Sequence, residues 1–350
     1  MRLVIIGYGN MGQRYVNELM EEPLENVRIY GVQTGNSQKA ANIIGKWPEL
    51  KVFVTFQGVL QDPLVEGVLI ATPNRFHFAM AKEALLKNKH VLVEKPAAIS
   101  EDEIMELTNL SESCGLICEV MFQSRFDPLV KRMKELSGTL GRLQRFQWNN
   151  PQYYRDAAYF LEGSWSGTWV QDGGGILLNQ AVHQIDLLDF LFGSPNELVS
   201  SISFGKYRNI EVDDEAFLIL RYPNGLTGTF MTSFAEPLGK ESVELVGENG
   251  RLEVVGNRLT CQLISGETFT ETFDEPKQWE KNRHELIRNF ELAARGSQQS
   301  QVPVAVNLRA LMLIHGAWLS SWQRKWIHLP LQNEEYCEGF RQYMKEDSNK

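Results

Sequence analysis

The chain has 350 residues, of which 43% are hydrophobic and 23% charged, a composition typical of a globular protein and a length that suits two domains. Its 35 lysines and arginines and its 44 aspartates and glutamates give a formal net charge of −9, and it contains no dense basic run. Nucleic acid and an anionic membrane surface are therefore disfavoured as partners.

Cysteine usage and the length of the apolar runs indicate the compartment. Cys114 and Cys118 are four positions apart, and no second close pair of cysteines completes a zinc site, so we expect reduced thiols and no metal. The apolar run before Gly7 is too short for a signal peptide, and no run approaches the ~18 apolar residues of a membrane span. These features favour a cytoplasmic protein.

Residues 1–121 alternate short apolar runs with amphipathic segments. Strands are predicted over residues 3–6, 27–32, 52–54, 67–71, 90–93 and 116–120. Helices are predicted from the glycines at 7–12 to about residue 20, and over 37–46, 76–87 and 101–114. This alternation is typical of βαβ units, so a parallel sheet covered by helices on both faces is expected.

After residue 121 the pattern changes to one of hairpins. Helices are predicted over 128–136, 177–192, 279–295 and 308–322. Strands are predicted over 143–148, 200–204, 216–222, 226–234, 241–247, 251–255, 259–264 and 268–273. Turn signals such as Asn224-Gly225 and Asn249-Gly250 separate them, which indicates an antiparallel sheet in a second domain over 122–330. Residues 331–350 are polar and are expected to form a peripheral tail.

A phosphate-binding motif opens the first domain. The run Gly7-Tyr8-Gly9-Asn10-Met11-Gly12 has the spacing G-x-G-x-x-G between a predicted strand and a helix. In such a turn the first glycine permits the bend, the second lets the backbone approach a pyrophosphate, and the third lets helix and strand pack closely. The sequence therefore predicts a Rossmann domain that binds a nicotinamide dinucleotide at the helix start.

The end of the second predicted strand indicates which dinucleotide is bound. No carboxylate occurs between Glu25 and Glu49, although an acidic residue there usually accepts the ribose hydroxyls of NAD. Polar and basic side chains stand in its place and could hold a 2′-phosphate: Thr34, Asn36, Ser37 and Lys39. This favours NADP over NAD, and the alternative is a polar loop that tolerates either cofactor.

Further candidate site residues lie in two loops after predicted strands and in a glycine-rich run before a predicted helix. Thr72-Pro73-Asn74 with His77, and Glu94-Lys95-Pro96, lie at strand carboxyl ends, where ligands bind in open α/β sheets. The run 173–186 has three glycines before a helix on which Asn179 and His183 would share a face.

With these motifs, and with Arg125-Phe126 and Pro128, the chain resembles the Gfo/Idh/MocA family of glucose–fructose oxidoreductases and inositol dehydrogenases over residues 1–330. The resemblance implies a Rossmann domain, an α+β C-terminal domain with a large open, mostly antiparallel sheet, and a homodimer or homotetramer formed through that sheet. It also implies that the 34–40 loop binds NADP and that Lys95 is the catalytic lysine and His183 the general acid/base. Neutral imidazole suits proton removal from an alcohol, and a nearby ammonium stabilises the developing alkoxide.

One residue departs from the family pattern. Many members carry an aspartate four residues before the histidine, where this chain has Asn179. An amide can hydrogen-bond the reacting oxygen beside Lys95 but cannot accept a proton, which leaves His183 as the clear base.

We therefore expect an enzyme that moves a hydride to or from a hydroxyl-bearing carbon of a sugar, polyol or sugar derivative. Arg125, Tyr154 and Trp165 are candidate substrate contacts beside Asn179 and His183, but Arg125 could instead form an ion pair and the aromatic rings could simply pack. Two rival functions are a non-catalytic dinucleotide-binding regulator and a redox-assisted lyase or glycosidase with no net cofactor turnover.

Overall fold

The computed structural model describes residues 1–151, 154–160 and 167–347. The α-helices of this part are α1 (Asn10–Glu21), α2 (Ser37–Lys46), α3 (Phe56–Gln61), α4 (His77–Leu86), α5 (Glu101–Cys114), α6 (Pro128–Ser137), α7 (Trp169–Asp172), α8 (Ile176–Asn179), α9 (Val182–Phe192), α10 (Gln278–Ala294), α11 (Val306–Gln323) and α12 (Asn333–Asp347). The β-strands are β1 (Arg2–Ile6), β2 (Arg28–Gln33), β3 (Lys51–Phe53), β4 (Gly67–Ile70), β5 (His90–Val93), β6 (Cys118–Val120), β7 (Leu143–Asn150), β8 (Glu197–Phe204), β9 (Asp213–Arg221), β10 (Thr227–Ser233), β11 (Ser242–Gly247), β12 (Gly250–Val255), β13 (Arg258–Leu263), β14 (Thr268–Thr272) and β15 (Ile327–His328).

The first of two compact units comprises Met1–Gln123 and Lys277–Leu308. Its six strands form a parallel sheet in the order β3-β2-β1-β4-β5-β6, and central residues such as Leu3 and Val68 are fully buried. Burial on both faces explains why these strands are continuous apolar runs. The strand order reverses between β1 and β4, which is where such sheets bind ligands at their carboxyl ends. The predicted Rossmann fold is confirmed.

Residues 277–308 lie with this first unit, whereas the sequence patterns placed them in the domain 122–330. The Val120 N–H donates to the Val302 carbonyl at 3.1 Å, and the Val304 N–H donates to the Cys118 carbonyl at 2.8 Å. In α10, Arg283 forms a buried ion pair with Glu18 of α1. These contacts join segments far apart in sequence, so local periodicity could not reveal them.

The second unit comprises Ser124–Pro276 and Arg309–Lys350. Its nine strands run in the order β14-β13-β12-β11-β7-β10-β9-β8-β15, and every pairing is antiparallel except that of β7 with β10. Along β9 the side chains alternate, with Leu218 buried and Phe217 and Ile219 exposed, because one face packs on the core. The expected open, mostly antiparallel sheet is confirmed.

Helix α12 occupies most of the segment 331–350 that was expected to be a peripheral tail. Tyr336 stacks on His315 of α11 with ring centroids 3.9 Å apart, and Tyr343 stacks on Trp322 at 4.9 Å. Leu331, just before the helix, is buried against Leu319. Tyr336 and Tyr343 are seven residues apart and so lie on one helix face, a signal that the overall polarity of the segment obscured.

Candidate active site

Two glycines of the first motif are required by the protein itself. Gly7 follows β1 with φ +90°, and a Cβ on it would lie 2.7 Å from the Ala71 carbonyl oxygen. A Cβ on Gly12 would overlap the Gly7 carbonyl oxygen, so α1 can approach the turn this closely only with glycine there. These are the bend and the close packing expected of the first and third glycines.

Gly9 is different, because a Cβ there would meet no atom of the described residues within 4 Å. Gly9 is the N-cap of α1, no side chain of the described chain caps it, and the first turn holds no acidic residue. Tyr8, Asn10 and Met11 around it all keep solvent-accessible surface. The start of α1 therefore combines N–H groups, a favourable helix dipole and open space, and this arrangement fits a dinucleotide pyrophosphate.

The loop after β2 is ordered by its own polar side chains. Thr34 is buried, and its Oγ1 accepts a hydrogen bond from the Asn36 N–H at 3.3 Å. Asn36 caps α2, with its Oδ1 accepting from the Lys39 N–H at 2.9 Å. Thr34 and Asn36 thus shape the loop, while the side chains of Ser37 and Lys39 remain accessible at its surface.

His77 links the two loops that follow β4 and β5. Its Nδ1 lies 2.7 Å from the Pro96 carbonyl oxygen and its Nε2 lies 2.7 Å from the Thr72 carbonyl oxygen. Burial lowers the pKa of His77, and the two carbonyls oppose that shift only in part. With 1% of its surface exposed, His77 ties the Thr72-Pro73-Asn74 loop to the Glu94-Lys95-Pro96 loop.

Glu94 holds the backbone at Lys95. The Tyr15 hydroxyl of α1 donates to Glu94 Oε1, and the Lys95 N–H donates to Glu94 Oε2 at 3.1 Å. Burial, together with the Glu94 charge, raises the pKa of Tyr15 well above its ordinary range, so the phenol stays a hydrogen-bond donor. Glu94 thus positions the backbone of Lys95, whose own side chain is partly exposed.

In the second unit, the glycines before α8 pack against protein. A Cβ on Gly174 would lie 2.5 Å from Trp318 Cη2, and a Cβ on Gly175 would overlap the Asp213 backbone. The buried Asp213 carboxylate accepts from the Gly175 N–H and the Leu177 N–H at 2.8 Å each, and from Trp318 Nε1 at 3.1 Å. Burial raises the pKa of Asp213 to about 6, against the effect of these bonds.

Asp213 and Trp318 were not among the predicted site residues. Their contribution is made through the backbone of the glycine segment, from positions tens of residues away in the chain. The available signal is an acidic run, Asp213 to Glu215, directly before the apolar run 216–220. A carboxylate that is buried at the start of such a strand needs hydrogen-bond partners.

The predicted helix over 177–192 is wrong in one respect, because the structure divides it into α8 and α9. Gln180 and Ala181 interrupt it, and the Ala181 N–H bonds to the Ile176 carbonyl at 2.8 Å, five residues back. Asn179 and His183 therefore do not share a face of one continuous helix, as the i, i+4 spacing predicted. Asn179 ends α8 and its Nδ2 donates to the Gly174 carbonyl at 2.7 Å, whereas His183 lies in the first turn of α9 and is 7% exposed.

The other predicted substrate contacts, Arg125, Tyr154 and Trp165, differ in their surroundings. Arg125 forms a bidentate ion pair with Asp186 at 2.7 and 2.6 Å, which is the second of its two predicted roles. Burial raises the pKa of Asp186 to about 6, and Arg125 limits this rise. Tyr154 is 41% exposed, with the Arg208 guanidinium 5.5 Å from its ring centre. Trp165 lies outside the described residues.

Within residues 1–151, 154–160 and 167–347, no three His, Cys, Asp or Glu side chains group closely enough to hold a metal ion. None of the helices in that same part of the chain has both the length and the apolar character needed to span a bilayer.

Two family models match the chain. One, an oxidoreductase family with an NAD-binding Rossmann fold, matches residues 1–122, and the other, the Gfo/Idh/MocA C-terminal domain, matches residues 130–253. The chain belongs to the Gfo/Idh/MocA family of oxidoreductases. The resemblance drawn from its motifs is thus confirmed across both domains.

Named members of the Gfo/Idh/MocA family and solved structures resemble this chain over most of its length. The scyllo-inositol 2-dehydrogenase (NAD(+)) of Bacillus subtilis is 25% identical over 263 residues, 72% of this chain and 73% of that protein. The WlbA dehydrogenase of Bordetella pertussis, solved with NADH and UDP-GlcNAcA, has a TM-score of 0.81 at 21% identity, over 95% of this chain and 99% of that one. Levoglucosan dehydrogenase, solved with NADH and levoglucosan, has a TM-score of 0.83 at 21% identity, over 95% and 100%. At this identity the solved structures establish the shared fold.

Proposed function

We propose that this Gfo/Idh/MocA protein is an NADP-preferring dehydrogenase or reductase that moves a hydride to or from a hydroxyl-bearing carbon of a sugar, polyol or sugar derivative. The observation that carries the proposal is the turn at 7–12. Protein atoms fill the space beside Gly7 and Gly12, whereas the space beside Gly9 is open. Relatives support the substrate class, since one is named for scyllo-inositol and another was solved with levoglucosan.

The residues that would hold the cofactor lie at the carboxyl edge of the six-stranded sheet. The N–H groups at the start of α1 would bind the pyrophosphate, and Ser37 and Lys39 would bind a 2′-phosphate. The loops containing Thr72, Asn74 and Lys95, tied together by His77, lie after β4 and β5 on this edge. When bound, the nicotinamide supplies the hydride acceptor or donor.

The chain's own residues would manage the proton and the charge on the reacting oxygen. The imidazole of His183 would take the proton from the substrate hydroxyl during oxidation and return it during reduction. The ammonium of Lys95 would stabilise the negative charge that develops on that oxygen. Asn179 can support the oxygen through a hydrogen bond but cannot take the proton.

The direct test of this assignment is His183→Ala. We expect kcat to fall by roughly 10²–10⁴-fold, the usual contribution of a general base, while NADPH binding is unchanged. The control is His328→Ala, because the His328 side chain on β15 is 81% exposed. Unchanged turnover would overturn the assignment, and sugar-dependent binding without any turnover in the native protein would favour a regulator. Products formed without net NADPH would favour the lyase or glycosidase.

The preference for NADP is tested at the start of α2. We expect Lys39→Glu to lower kcat/KM for NADP by roughly 10-fold or more relative to NAD, because a charge-assisted bond becomes a repulsion. Lys46→Glu at the other end of α2 is the control, since Lys46 contacts Asn17 at 2.8 Å. A native enzyme that prefers NAD would contradict this part of the proposal.

The exposed face of the nine-stranded sheet supports assembly into a homodimer or homotetramer. Phe217 and Ile219 point to the same side of β9 and are 47% and 44% exposed. We expect the solution mass to be a multiple of the monomer and to fall in Ile219→Asp, as measured by light scattering.

The state of the cysteines supports a cytoplasmic location. The four cysteines are free, and Cys118 and Cys261 are buried. Burial raises the pKa of the Cys118 thiol, which keeps it unreactive. These features suit the reducing conditions of the cytoplasm.

A further inference from the structure

Arg155 of the second unit contacts the segment that carries Asn179 and His183. The Arg155 guanidinium donates from Nη2 to Gln180 Oε1 at 3.1 Å. Gln180 directly follows Asn179 and lies three residues before His183, in the interruption between α8 and α9. Arg155 is thus hydrogen-bonded to a side chain on the same short segment as the proposed base.

Arg208 is held against Arg155 through backbone groups. Its Nε donates to the Arg155 carbonyl at 2.6 Å, and its Nη2 lies 3.4 Å from the Phe234 carbonyl, which also accepts the Arg155 N–H at 3.1 Å. The loop before it is fastened by Asp214, whose Oδ2 accepts the Tyr207 N–H at 2.6 Å. Arg208 is therefore held at the backbone of Arg155, and the two side chains are here called the arginine pair.

The half-buried arginine pair differs in its partners from the buried arginines Arg125 and Arg283. Arg125 is paired with Asp186, and Arg283 with Glu18. Within the part of the chain that the structure describes, Arg155 and Arg208 contact carbonyl and amide oxygens, and no carboxylate forms an ion pair with either. Arg155 Nε is buried with no hydrogen-bond partner among those residues.

Five N–H donors on each guanidinium exceed the neutral acceptors around the pair, so donors and positive charge remain for a ligand. A planar guanidinium suits a carboxylate or phosphate, which it can bind through two parallel hydrogen bonds. The half-exposed ring of Tyr154, 5.5 Å from Arg208, adds a flat surface beside the charge.

We infer that the arginine pair binds the anionic group of the substrate, so that the enzyme acts on a sugar carrying a carboxylate or a phosphate. This inference rests on the proposed function, because it places the pair next to the reacting hydroxyl. A protein of formal net charge −9 would otherwise repel such a ligand, which gives a local positive site a clear purpose.

The test is calorimetric binding to the NADP-loaded protein. The probes are D-glucose, D-glucuronate, glucose 6-phosphate and UDP-glucuronate, so that carboxylate and phosphate are separate arms. We expect at least one anionic probe to bind roughly 10-fold or more tightly than glucose, and this advantage to shrink as salt rises from about 0.05 to about 0.5 M. Equal binding of glucose and all anionic probes, or no binding of any anionic probe, would overturn the inference.

Variants then locate the charge. Arg155→Gln and Arg208→Gln should each remove most of the anionic advantage, whereas Arg221→Gln, at an exposed arginine paired with Glu197 on the sheet, should keep it. An advantage that survives in both variants of the pair would overturn the inference. Thermal unfolding checks that each variant folds. If a variant does not fold, the salt dependence of anion binding by the native protein still tests the inference. Anionic sugars that bind but are never oxidised or reduced would keep this inference and refute the proposed function.

Discussion

Two glycine-rich segments precede helices in this chain, one before α1 and one before α8, and the space around their glycines differs. At Gly9 an added Cβ would meet no described atom within 4 Å. At Gly174 and Gly175 it would strike Trp318 and Asp213. In the first segment Gly7 and Gly12 are required by packing and Gly9 leaves open space, whereas in the second both Gly174 and Gly175 are required by packing. Glycine in a motif therefore does not by itself mark a ligand site.

The largest effect is expected for Gly175→Ala. The new methyl group would overlap the Asp213 backbone, which cannot rotate away as a side chain could. We expect the free energy of unfolding in urea to fall by about 3 kcal/mol or more, the upper range for overpacking. The control is Gly45→Ala in α2, where an added methyl has open space and should stabilise by about 0.5–1 kcal/mol. A Gly175→Ala protein as stable as the native one would break the comparison.

The second prediction concerns the pH dependence of stability at Asp213. Burial raises the pKa of this carboxyl from 3.8 to about 6 in the folded protein, so the folded state binds more protons than the unfolded state in that window. Its contribution to the free energy of unfolding is therefore fully present below pH 3.8 and is lost as the pH rises through about 6, by about 3 kcal/mol. In Asp213→Asn this fall should be missing.

The readout is the difference between the unfolding free energies of native and Asp213→Asn protein at several pH values. Other buried carboxyls, such as Glu119 with a pKa raised to about 7 by burial, contribute equally to both proteins and cancel. Parallel curves for the two proteins would show that Asp213 is not the group titrating.

How far the sequence predicts this molecule depends on how local each feature is. The Rossmann sheet follows from short apolar runs and one motif, all within 121 residues. The role of Asp213 depends on contacts between positions more than 30 residues apart, and the packing of α12 depends on rings in α11. The motifs single out Lys95 and His183 as candidates. Of the groups that position the backbone around them, only Glu94 could be expected from the sequence, because it is adjacent to Lys95.

The third prediction concerns Gly9→Ala, which should spare the fold and impair cofactor binding. Gly9 has extended backbone angles that alanine adopts freely, so the free energy of unfolding should stay within about 0.5 kcal/mol of the native value. The methyl group would hold the pyrophosphate away from the helix start. We expect NADPH to bind roughly 10-fold or more weakly in a fluorescence titration, from the loss of at least one hydrogen bond to phosphate. Native affinity in this variant would mean that the open space at Gly9 has another purpose.

The smallest effect is expected for Trp318→Phe. Phenylalanine keeps an aromatic ring at this position but loses the 3.1 Å hydrogen bond to Asp213. We expect a loss of about 1 kcal/mol in the free energy of unfolding, the ordinary value of one such bond, together with a modest fall in kcat and little change in cofactor binding. A larger effect on NADPH affinity than on kcat would contradict the assignment of different roles to the two glycine-rich segments.

The central claim is that the turn at 7–12 holds a nicotinamide dinucleotide whose reactive ring meets Lys95 and His183, and a crystal structure with NADPH tests it most directly. We expect the pyrophosphate on the N–H groups at the start of α1 beside Gly9, and C4 of the nicotinamide in a pocket lined by the Lys95 ammonium and the His183 imidazole. A pyrophosphate bound elsewhere, or Lys95 and His183 on opposite sides of the molecule, would contradict the account.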